Sequence, residues 1–224
     1  MKRLIIILAI IMIVGIFAGC SKQNAADADE IRIGLNYELS GDNATYGNSS
    51  VEGIELAVEQ INAEGGINGK KIKLIKYDNK SEPAEATTLA TRLMTQDGVI
   101  AVLGPATSGA FKATIPVAIQ NKIPVASGSA TADDVTVDSS GVKEYAFRIC
   151  YSDSYQGTAM ANFALNNLSA KKAVIIMDSS SDYGKGLAEN FTKTFEEGGG
   201  TIVAQEAYVA KDTDFNAILT KIKG

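Results

Sequence analysis

The sequence predicts an α/β fold built from doubly wound parallel sheets, and three observations carry that prediction. Short apolar segments of strand length alternate with longer segments whose apolar residues recur at helical spacing. Glycine, proline and asparagine separate these segments, which is typical of turns. Strands that alternate with helices form βαβ units, in which the strands run parallel and helices cover both faces of the sheet.

The first part of the chain contains four predicted strands and three predicted helices. The strands are expected over 31–37, 72–77, 99–103 and 123–126, and the helices over 51–61, 82–94 and 108–120. Pro83 lies near the start of the second helix, where its missing N–H group removes no intrahelical hydrogen bond. Pro116 is expected to kink or divide the third helix.

A second series begins after a polar segment over 128–143, which we interpret as a loop. Helices are expected over 155–168, 184–196 and 214–223, and strands over 172–177 and 201–208. A crossover near 146–150 divides the chain into an N-terminal ligand-binding lobe, 31–145, and a second lobe, 146–224. Because a stable sheet usually needs about three strands, we expect the second lobe to be incomplete and the chain to be a fragment. The alternative is a small complete protein.

The N-terminus has the pattern of an export signal. Two basic residues, an apolar run over 4–14 and the small pair Ala18-Gly19 lead directly into Cys20. The run is shorter than the about 20 apolar residues that span a bilayer. The ending resembles a bacterial lipoprotein signal, 1–19, whose cleavage leaves Cys20 as a lipidated N-terminus on a flexible tether, 20–30. This places the protein outside the cytoplasm, anchored to the membrane. An ordinary signal peptide or an uncleaved anchor is the alternative.

Composition excludes several classes of function. The chain has 26 acidic and 21 basic residues, a net charge of −5, which becomes −7 once the two basic residues of the signal, Lys2 and Arg3, are removed. An acidic chain without a basic cluster is unsuited to nucleic acid. The absence of histidine excludes Ser-His-Asp and Cys-His systems and histidine-bound zinc, and we expect no cofactor or metal. With Cys20 lipidated, Cys150 has no disulfide partner and is expected to be a small buried residue.

Hydroxyl-bearing residues cluster in the loops expected after the strands, where open parallel sheets bind ligands. Ser108 lies at a helix start, and the residue type suits either binding of a carboxylate or N-capping. Ser129 and Thr131 suit either a polar ligand or a turn, and Tyr46 suits either a pocket wall or the surface. Their convergence favours a small anionic or zwitterionic ligand. The adjacent pair Asp133-Asp134 is interpreted as solvated charge.

A set of short motifs runs from about residue 31 to the end of the chain. These are Ile33-Gly34, Leu39-Ser40-Gly41, Tyr46-Gly47, Gly53-Ile54-Glu55-Leu56-Ala57, Ile61-Asn62-Ala63-Glu64-Gly65-Gly66-Ile67-Asn68-Gly69, Tyr77-Asp78, Gly104-Pro105, Phe147-Arg148, Gln156-Gly157 and Asp182-Tyr183-Gly184. The combination resembles the extracytoplasmic solute-binding proteins of branched-chain amino-acid ABC transporters, which have the type I periplasmic-binding-protein fold.

The resemblance implies two lobes that close around an amino acid without chemical reaction. It implies that Ser108 binds the ligand carboxylate, that Ser129 and Thr131 meet the ammonium group through a backbone carbonyl and a hydroxyl, and that Tyr46 and Tyr183 line the side-chain pocket. The implied partners are a small amino acid, transporter permease subunits and, through Cys20, the lipid membrane. The acidic residue that completes ammonium binding in the family would lie beyond Gly224.

Two alternatives to amino-acid transport follow from the same residues. The first is a binding protein or sensor for amides, urea or another small solute. The second is an extracytoplasmic enzyme that works without histidine, of the Ser-Lys or paired-carboxylate type.

Overall fold

The computed structural model of the protein describes residues 30–223. The predicted signal segment 1–19, the lipidation site Cys20 and all of the tether 20–30 except its last residue lie outside the described residues. Within residues 30–223 no helix combines the length and the apolar character that crossing a bilayer requires.

Nine strands and six α-helices form within the described residues. The strands are β1 (Glu30–Tyr37), β2 (Lys71–Asp78), β3 (Ala101–Leu103), β4 (Val125–Ser127), β5 (Val137–Asp138), β6 (Gly141–Val142), β7 (Ala146–Arg148), β8 (Lys172–Asp178) and β9 (Thr201–Tyr208). The helices are α1 (Ala44–Ala63), α2 (Pro83–Thr95), α3 (Ser108–Asn121), α4 (Asp153–Asn166), α5 (Asp182–Glu197) and α6 (Asn216–Lys223).

The first lobe is built on a five-stranded sheet of order β2-β1-β3-β4-β7. Strands β1, β3, β4 and β7 pair in parallel, with Ile33 opposite Ala101, Val102 opposite Val125, and Val125 opposite Ala146. Because parallel strands end at the same edge, the loops that follow β1, β3 and β4 meet there.

Apolar side chains on the two faces of this sheet form separate clusters. Val102 packs with buried residues of α2 and α3, including Phe111, while its neighbour Leu103 packs against a cluster that contains Leu35 and Val51 of α1. Consecutive strand residues point to opposite faces, so α1 covers one face and α2 with α3 the other. The doubly wound arrangement predicted from the alternation is confirmed.

The second lobe contains the parallel pair β8–β9 and the helices α4 and α5. Ile175 and Phe195 are buried in it. Helices α4 and α5 pack closely, because a Cβ atom added at Gly157 would lie 2.7 Å from the Cβ of Asn190. Both strands expected in this lobe, over 172–177 and 201–208, are present as β8 and β9.

Four local expectations need correction. The crossover strand Ala146–Arg148, expected to begin the second lobe, pairs with β4 in the first sheet. Helix α1 begins at Ala44, earlier than its apolar spacing indicates, so Tyr46 lies on a helix and not in a loop. Helix α3 continues through Pro116 without dividing. The expected loop 128–143 contains a 3₁₀ turn and a β5–β6 hairpin, both too short to show a hydrophobic period.

The buried ring of Phe111 should carry a large share of the first lobe's stability. Replacing a fully buried phenylalanine with alanine removes apolar contacts and leaves a cavity, so Phe111→Ala is expected to lower the free energy of unfolding by about 3–5 kcal/mol. Urea unfolding followed by circular dichroism measures this change. The matched control is Phe163→Ala, an exposed helical phenylalanine, and equal losses in both variants would contradict the core assignment.

Candidate ligand-binding site

The loops at the carboxyl edge of the first sheet are held together by Glu38, directly after β1. Its side chain is fully buried. The carboxylate accepts hydrogen bonds from the backbone N–H groups of Ala106 (2.9 Å) and Thr107 (3.1 Å) and from the Thr107 hydroxyl (2.9 Å). Three donors satisfy an acceptor that would otherwise be costly to bury. Glu38 therefore fixes the segment that leads into helix α3.

Helix α3 begins with Ser108, and the N-cap position belongs to Thr107, so N-capping by Ser108 is ruled out. Ser108 is buried, and its Oγ accepts a hydrogen bond from the backbone N–H of Ala132 at 3.1 Å. Its own hydroxyl hydrogen remains available to a ligand. The first N–H groups of a helix have no intrahelical acceptor, and a Cβ atom added at Gly109 would meet no neighbouring atom within 4 Å. This end of α3 has the donors and the room that an anionic group needs.

Ser129 lies in the loop after β4, and that loop is bonded to the segment before α3. The Ser129 hydroxyl donates to the carbonyl of Ala106 at 2.8 Å, and the Ser127 hydroxyl donates to the carbonyl of Pro105 at 2.6 Å. Thr131 is buried, and its carbonyl accepts from Arg148 Nη1 (2.9 Å) and from the Asp153 N–H (2.8 Å). The two loops that carry Ser108, Ser129 and Thr131 are therefore held together by hydrogen bonds.

The two predicted tyrosines are on different lobes. Tyr46 lies in the first turn of α1 and is 66% exposed. Tyr183 lies in the first turn of α5 and is 41% exposed, and its hydroxyl accepts a hydrogen bond from Gln156 Nε2 at 3.0 Å. Among the described residues no hydrogen bond joins either ring to Ser108, Ser129 or Thr131. Both rings keep free surface for an apolar contact.

Asp78, at the end of β2, shapes the loop after β1 in a way that the sequence did not reveal. Its carboxylate accepts from the N–H groups of Leu39, Ser40 and Lys80 and from the Ser40 hydroxyl, at 2.6–3.1 Å. Burial opposes ionisation, yet these hydrogen bonds lower the pKa of Asp78 below its ordinary value. Ser40 is thus engaged in bracing the loop.

Asp133 and Asp134 remain at the surface, as expected, but both are engaged. Asp133 accepts hydrogen bonds from the N–H group (3.2 Å) and the hydroxyl (2.7 Å) of Ser154 and from Asn190 Nδ2 (3.1 Å). Burial works against its charge, and the bonds from Ser154 and Asn190 lower its pKa. Asp134 forms an ion pair with Lys112 at 2.8 Å. Both carboxylates therefore have structural partners in the neighbouring elements.

Cys150 is half-buried, and its thiol donates to the carbonyl of Ala130 at 3.6 Å. Burial raises the pKa of the Cys150 thiol, which disfavours the reactive thiolate. The expected role as a small packing residue fits this environment, although the side chain is less buried than expected.

A groove of about 560 Å³ lies away from these loops, between α3 and the β5–β6 hairpin. Ile115, Pro116 and Val142 are among its apolar walls, and Lys112 and Lys143 are among its charged ones. None of the five predicted ligand-binding residues lines it. We therefore locate the candidate site by the converging loops and not by this groove.

Two lobes of parallel sheet, with hydroxyls and free helix N–H groups at the carboxyl edge of one of them, are typical of solute-binding proteins of the periplasmic type. Residues 30–224 match the family described as "Periplasmic binding protein". The chain belongs to this family and has the type I periplasmic-binding-protein fold.

One relative and one solved structure with high similarity are named as binding proteins for branched-chain amino acids. The chain is 36% identical over 194 residues to the Leu/Ile/Val-binding protein BraC3 of Rhizobium johnstonii. The aligned region covers 87% of this chain and 52% of that protein. It is 47% identical to the branched-chain amino acid transporter substrate-binding protein LivJ of Streptococcus pneumoniae, whose structure was solved with isoleucine. The TM-score is 0.80, and the match covers 87% of this chain and 54% of that one.

A solved structure with lower sequence identity contains a different solute. It is an ABC-transporter solute-binding protein of R. palustris in complex with benzoate, 27% identical with a TM-score of 0.76, covering 86% of this chain and 52% of that one. The chain spans about half the length of the curated relatives it matches.

The hydrogen bonds to Glu38 can be tested by its amide analogue. Glu38→Gln replaces one acceptor oxygen by an NH₂ group that faces backbone N–H donors, so it should lower the free energy of unfolding by about 1–3 kcal/mol. Urea unfolding measures the change. Glu59→Gln, on the exposed side of α1, is the matched control and should have little effect. A Glu38→Gln variant as stable as the control would contradict the bracing role.

Asp153 should make the folded protein less stable as pH rises. A carboxylate in an ion pair has the opposite effect and makes a protein less stable as pH falls. It is fully buried against Gly186 of α5. Burial raises its pKa, nearby Asp133 and Asp134 add to the rise, and Thr131 and Arg148 oppose it. The folded state therefore holds this proton to higher pH than the unfolded state, and stability is lost as pH rises through this window.

Asp153→Asn has no carboxyl group to ionise at this position, so the loss of stability with rising pH should disappear. Relative to the unsubstituted protein, the variant should become progressively more stable as pH rises above about 4, measured by urea unfolding across the range up to about pH 7. Asp138→Asn serves as the control of opposite sign, because hydrogen bonds from Ser140 and Lys143 lower the pKa of Asp138. A difference between Asp153→Asn and the parent that does not change with pH would show that Asp153 is not held neutral by burial.

Proposed function

We propose that this protein is an extracytoplasmic solute-binding lipoprotein that captures a branched-chain amino acid for an ABC transporter. The observation that carries the proposal is the position of Ser108 at the open N-terminus of α3, with a hydroxyl hydrogen free to donate. Family membership and the Leu/Ile/Val-binding relatives support the transport context. Because the chain spans about half of those relatives, the binding tests use the full-length gene product.

An amino acid supplies groups that match the residues of the site. Its carboxylate would accept hydrogen bonds from Ser108 and from the first N–H groups of α3. Its ammonium group would meet the backbone carbonyl of Ser129 and the hydroxyl of Thr131. An apolar side chain would contact Tyr46 and Tyr183, whose rings have free surface. Closure of the two lobes would bring Tyr183 to the ligand and produce the form that docks on the permease.

Attachment to the membrane would rest on Cys20, because the rest of the chain is acidic and lacks a basic cluster that would attract anionic lipid. Stable anchoring takes more than one acyl chain. Lipid attachment would keep the protein close to its permease, and the polar tether after Cys20 would give it reach. Mass spectrometry of the mature N-terminus, together with release of a Cys20→Ser variant into the medium, tests this anchor.

No chemical step follows from this arrangement, and we propose that the protein is not an enzyme. The residues of the site present hydrogen-bond donors and acceptors, and histidine is absent from the sequence. Recovery of the bound amino acid unchanged after long incubation is the expected result. A modified product would instead favour an enzyme that works without histidine.

The second candidate function is binding or sensing of another small solute. The R. palustris relative solved with benzoate favours it, because benzoate has a carboxylate but no ammonium group. The end of α3 would suit either ligand, whereas the carbonyl of Ser129 and the hydroxyl of Thr131 suit the ammonium. Calorimetry with leucine, isoleucine, valine, benzoate, urea and acetamide separates the two candidates.

Ser108→Ala tests the carboxylate contact in the full-length gene product. Loss of one hydrogen bond to a charged group should weaken binding of leucine, isoleucine or valine about tenfold, measured by isothermal titration calorimetry. Ser140→Ala, in the exposed β5–β6 hairpin, is the matched control and should leave affinity unchanged. Unchanged affinity in Ser108→Ala, in a protein that binds these amino acids, would refute the role of Ser108.

A further inference from the structure

The side-chain ammonium of Lys112 connects α3, which begins with Ser108, to α5, which carries Tyr183 in its first turn. The Nζ atom of Lys112, one turn along α3 from Ser108, lies 2.8 Å from Asp134 Oδ2 and 2.9 Å from Asp182 Oδ2. Asp182 begins α5 and directly precedes Tyr183. Lys112 and Asp134 belong to the first lobe and Asp182 to the second, so this ion pair crosses between the lobes.

Lys112 places a positive charge between the carboxylates of Asp134 and Asp182. Its side chain is 29% exposed, and burial opposes its charge, but Asp134 and Asp182 raise its pKa above the ordinary value and keep it protonated. Without the ammonium, two carboxylates would face each other across the boundary and repel. Networks of this kind are worth more than an isolated surface pair.

The same boundary carries a second polar link. Asp133 of the first lobe accepts hydrogen bonds from Ser154 of α4 and from Asn190 of α5. These bonds hold α4 and α5 close to the 3₁₀ turn that also carries Asp134. Directional, charged contacts at this boundary therefore connect α5 to the first lobe, which carries α3.

We propose that Lys112 is a positioning residue for ligand binding: its bridge to Asp182 holds α5 so that Tyr183 faces the Ser108 end of α3. The inference rests on the proposed function, in which Ser108 and Tyr183 contact the same ligand. Lys112 is not among the residues proposed to contact the ligand. It acts through Asp182 by favouring the arrangement of the lobes that binds.

A neighbouring lysine provides a matched control. Lys185 also pairs with Asp182, at 3.9 Å, but it lies on α5 and is 54% exposed. Lys185→Met removes the same charge from beside the same carboxylate without breaking a link between lobes. Lys112→Met removes the link, and Lys112→Arg keeps a cation that can pair with both carboxylates.

The test measures the distance between the lobes without ligand. Spin labels are placed at the exposed positions Glu59→Cys on α1 and Lys193→Cys on α5, in a chain with Cys20 and Cys150 replaced by serine, and double electron–electron resonance gives the distance distribution. Lys112→Met is expected to shift or broaden it. Lys185→Met and Lys112→Arg are expected to keep the parent distribution.

A second variant tests the same link between the lobes. If Lys112→Met fails to fold by circular dichroism, Asp182→Asn breaks the same link and should give the same shift. A distribution identical to the parent in the folded bridge variant, or an equal change in Lys185→Met, overturns the positioning role.

Affinity is measured separately, in the full-length gene product. Lys112→Met should weaken binding of leucine, isoleucine or valine about fivefold, with Lys185→Met unaffected. Unchanged affinity in Lys112→Met overturns the inference. Failure of the unsubstituted full-length gene product to bind any of the three amino acids would overturn the proposed function, whereas the ligand-free distances decide the link between the helices independently.

Discussion

The rest of the binding edge depends on the buried carboxylate of Glu38. It follows β1 directly and accepts three hydrogen bonds from the segment that leads into α3. That segment in turn accepts hydrogen bonds from Ser127, the last residue of β4, and from Ser129 of the loop that follows. Helix α1 fits against this structure because Gly47 lies where a Cβ atom would be 2.0 Å from the Glu38 carbonyl oxygen. A buried side chain whose two oxygens both accept hydrogen bonds from the neighbouring segment favours one arrangement of the loops.

The two lobes are joined in a different way. Within the first lobe, apolar clusters on both faces of the sheet hold the helices in place. Between the lobes, the bridge of Lys112 and the hydrogen bonds of Asp133 are polar and partly exposed. Apolar cores resist rearrangement, whereas a partly exposed network of charges favours one arrangement of the lobes and can still be exchanged for water. This combination suits a protein whose lobes are rigid and whose relative position responds to a ligand.

The alternation of strands and helices could be predicted from the sequence, because hydrophobic periodicity and turn residues are local properties. The family was predicted from the resemblance of short motifs, and the family match confirms it. Ser108 was correctly placed at a helix start. The structural roles of Glu38, Asp78 and Lys112 were not predicted. The only local sign of Glu38 is an acidic residue immediately after an apolar strand, and its partners lie 68 and 69 positions away.

What the sequence by itself determined is the order and type of the elements, the acidic and histidine-free composition, and the hydroxyl-bearing loops that make a solute site plausible. Only the tertiary structure decided that Ala146–Arg148 joins the first sheet, that Tyr46 lies on a helix, and that Lys112 meets Asp182. The physical reason is sequence separation: local propensity selects helices and strands, whereas packing selects which distant segments meet.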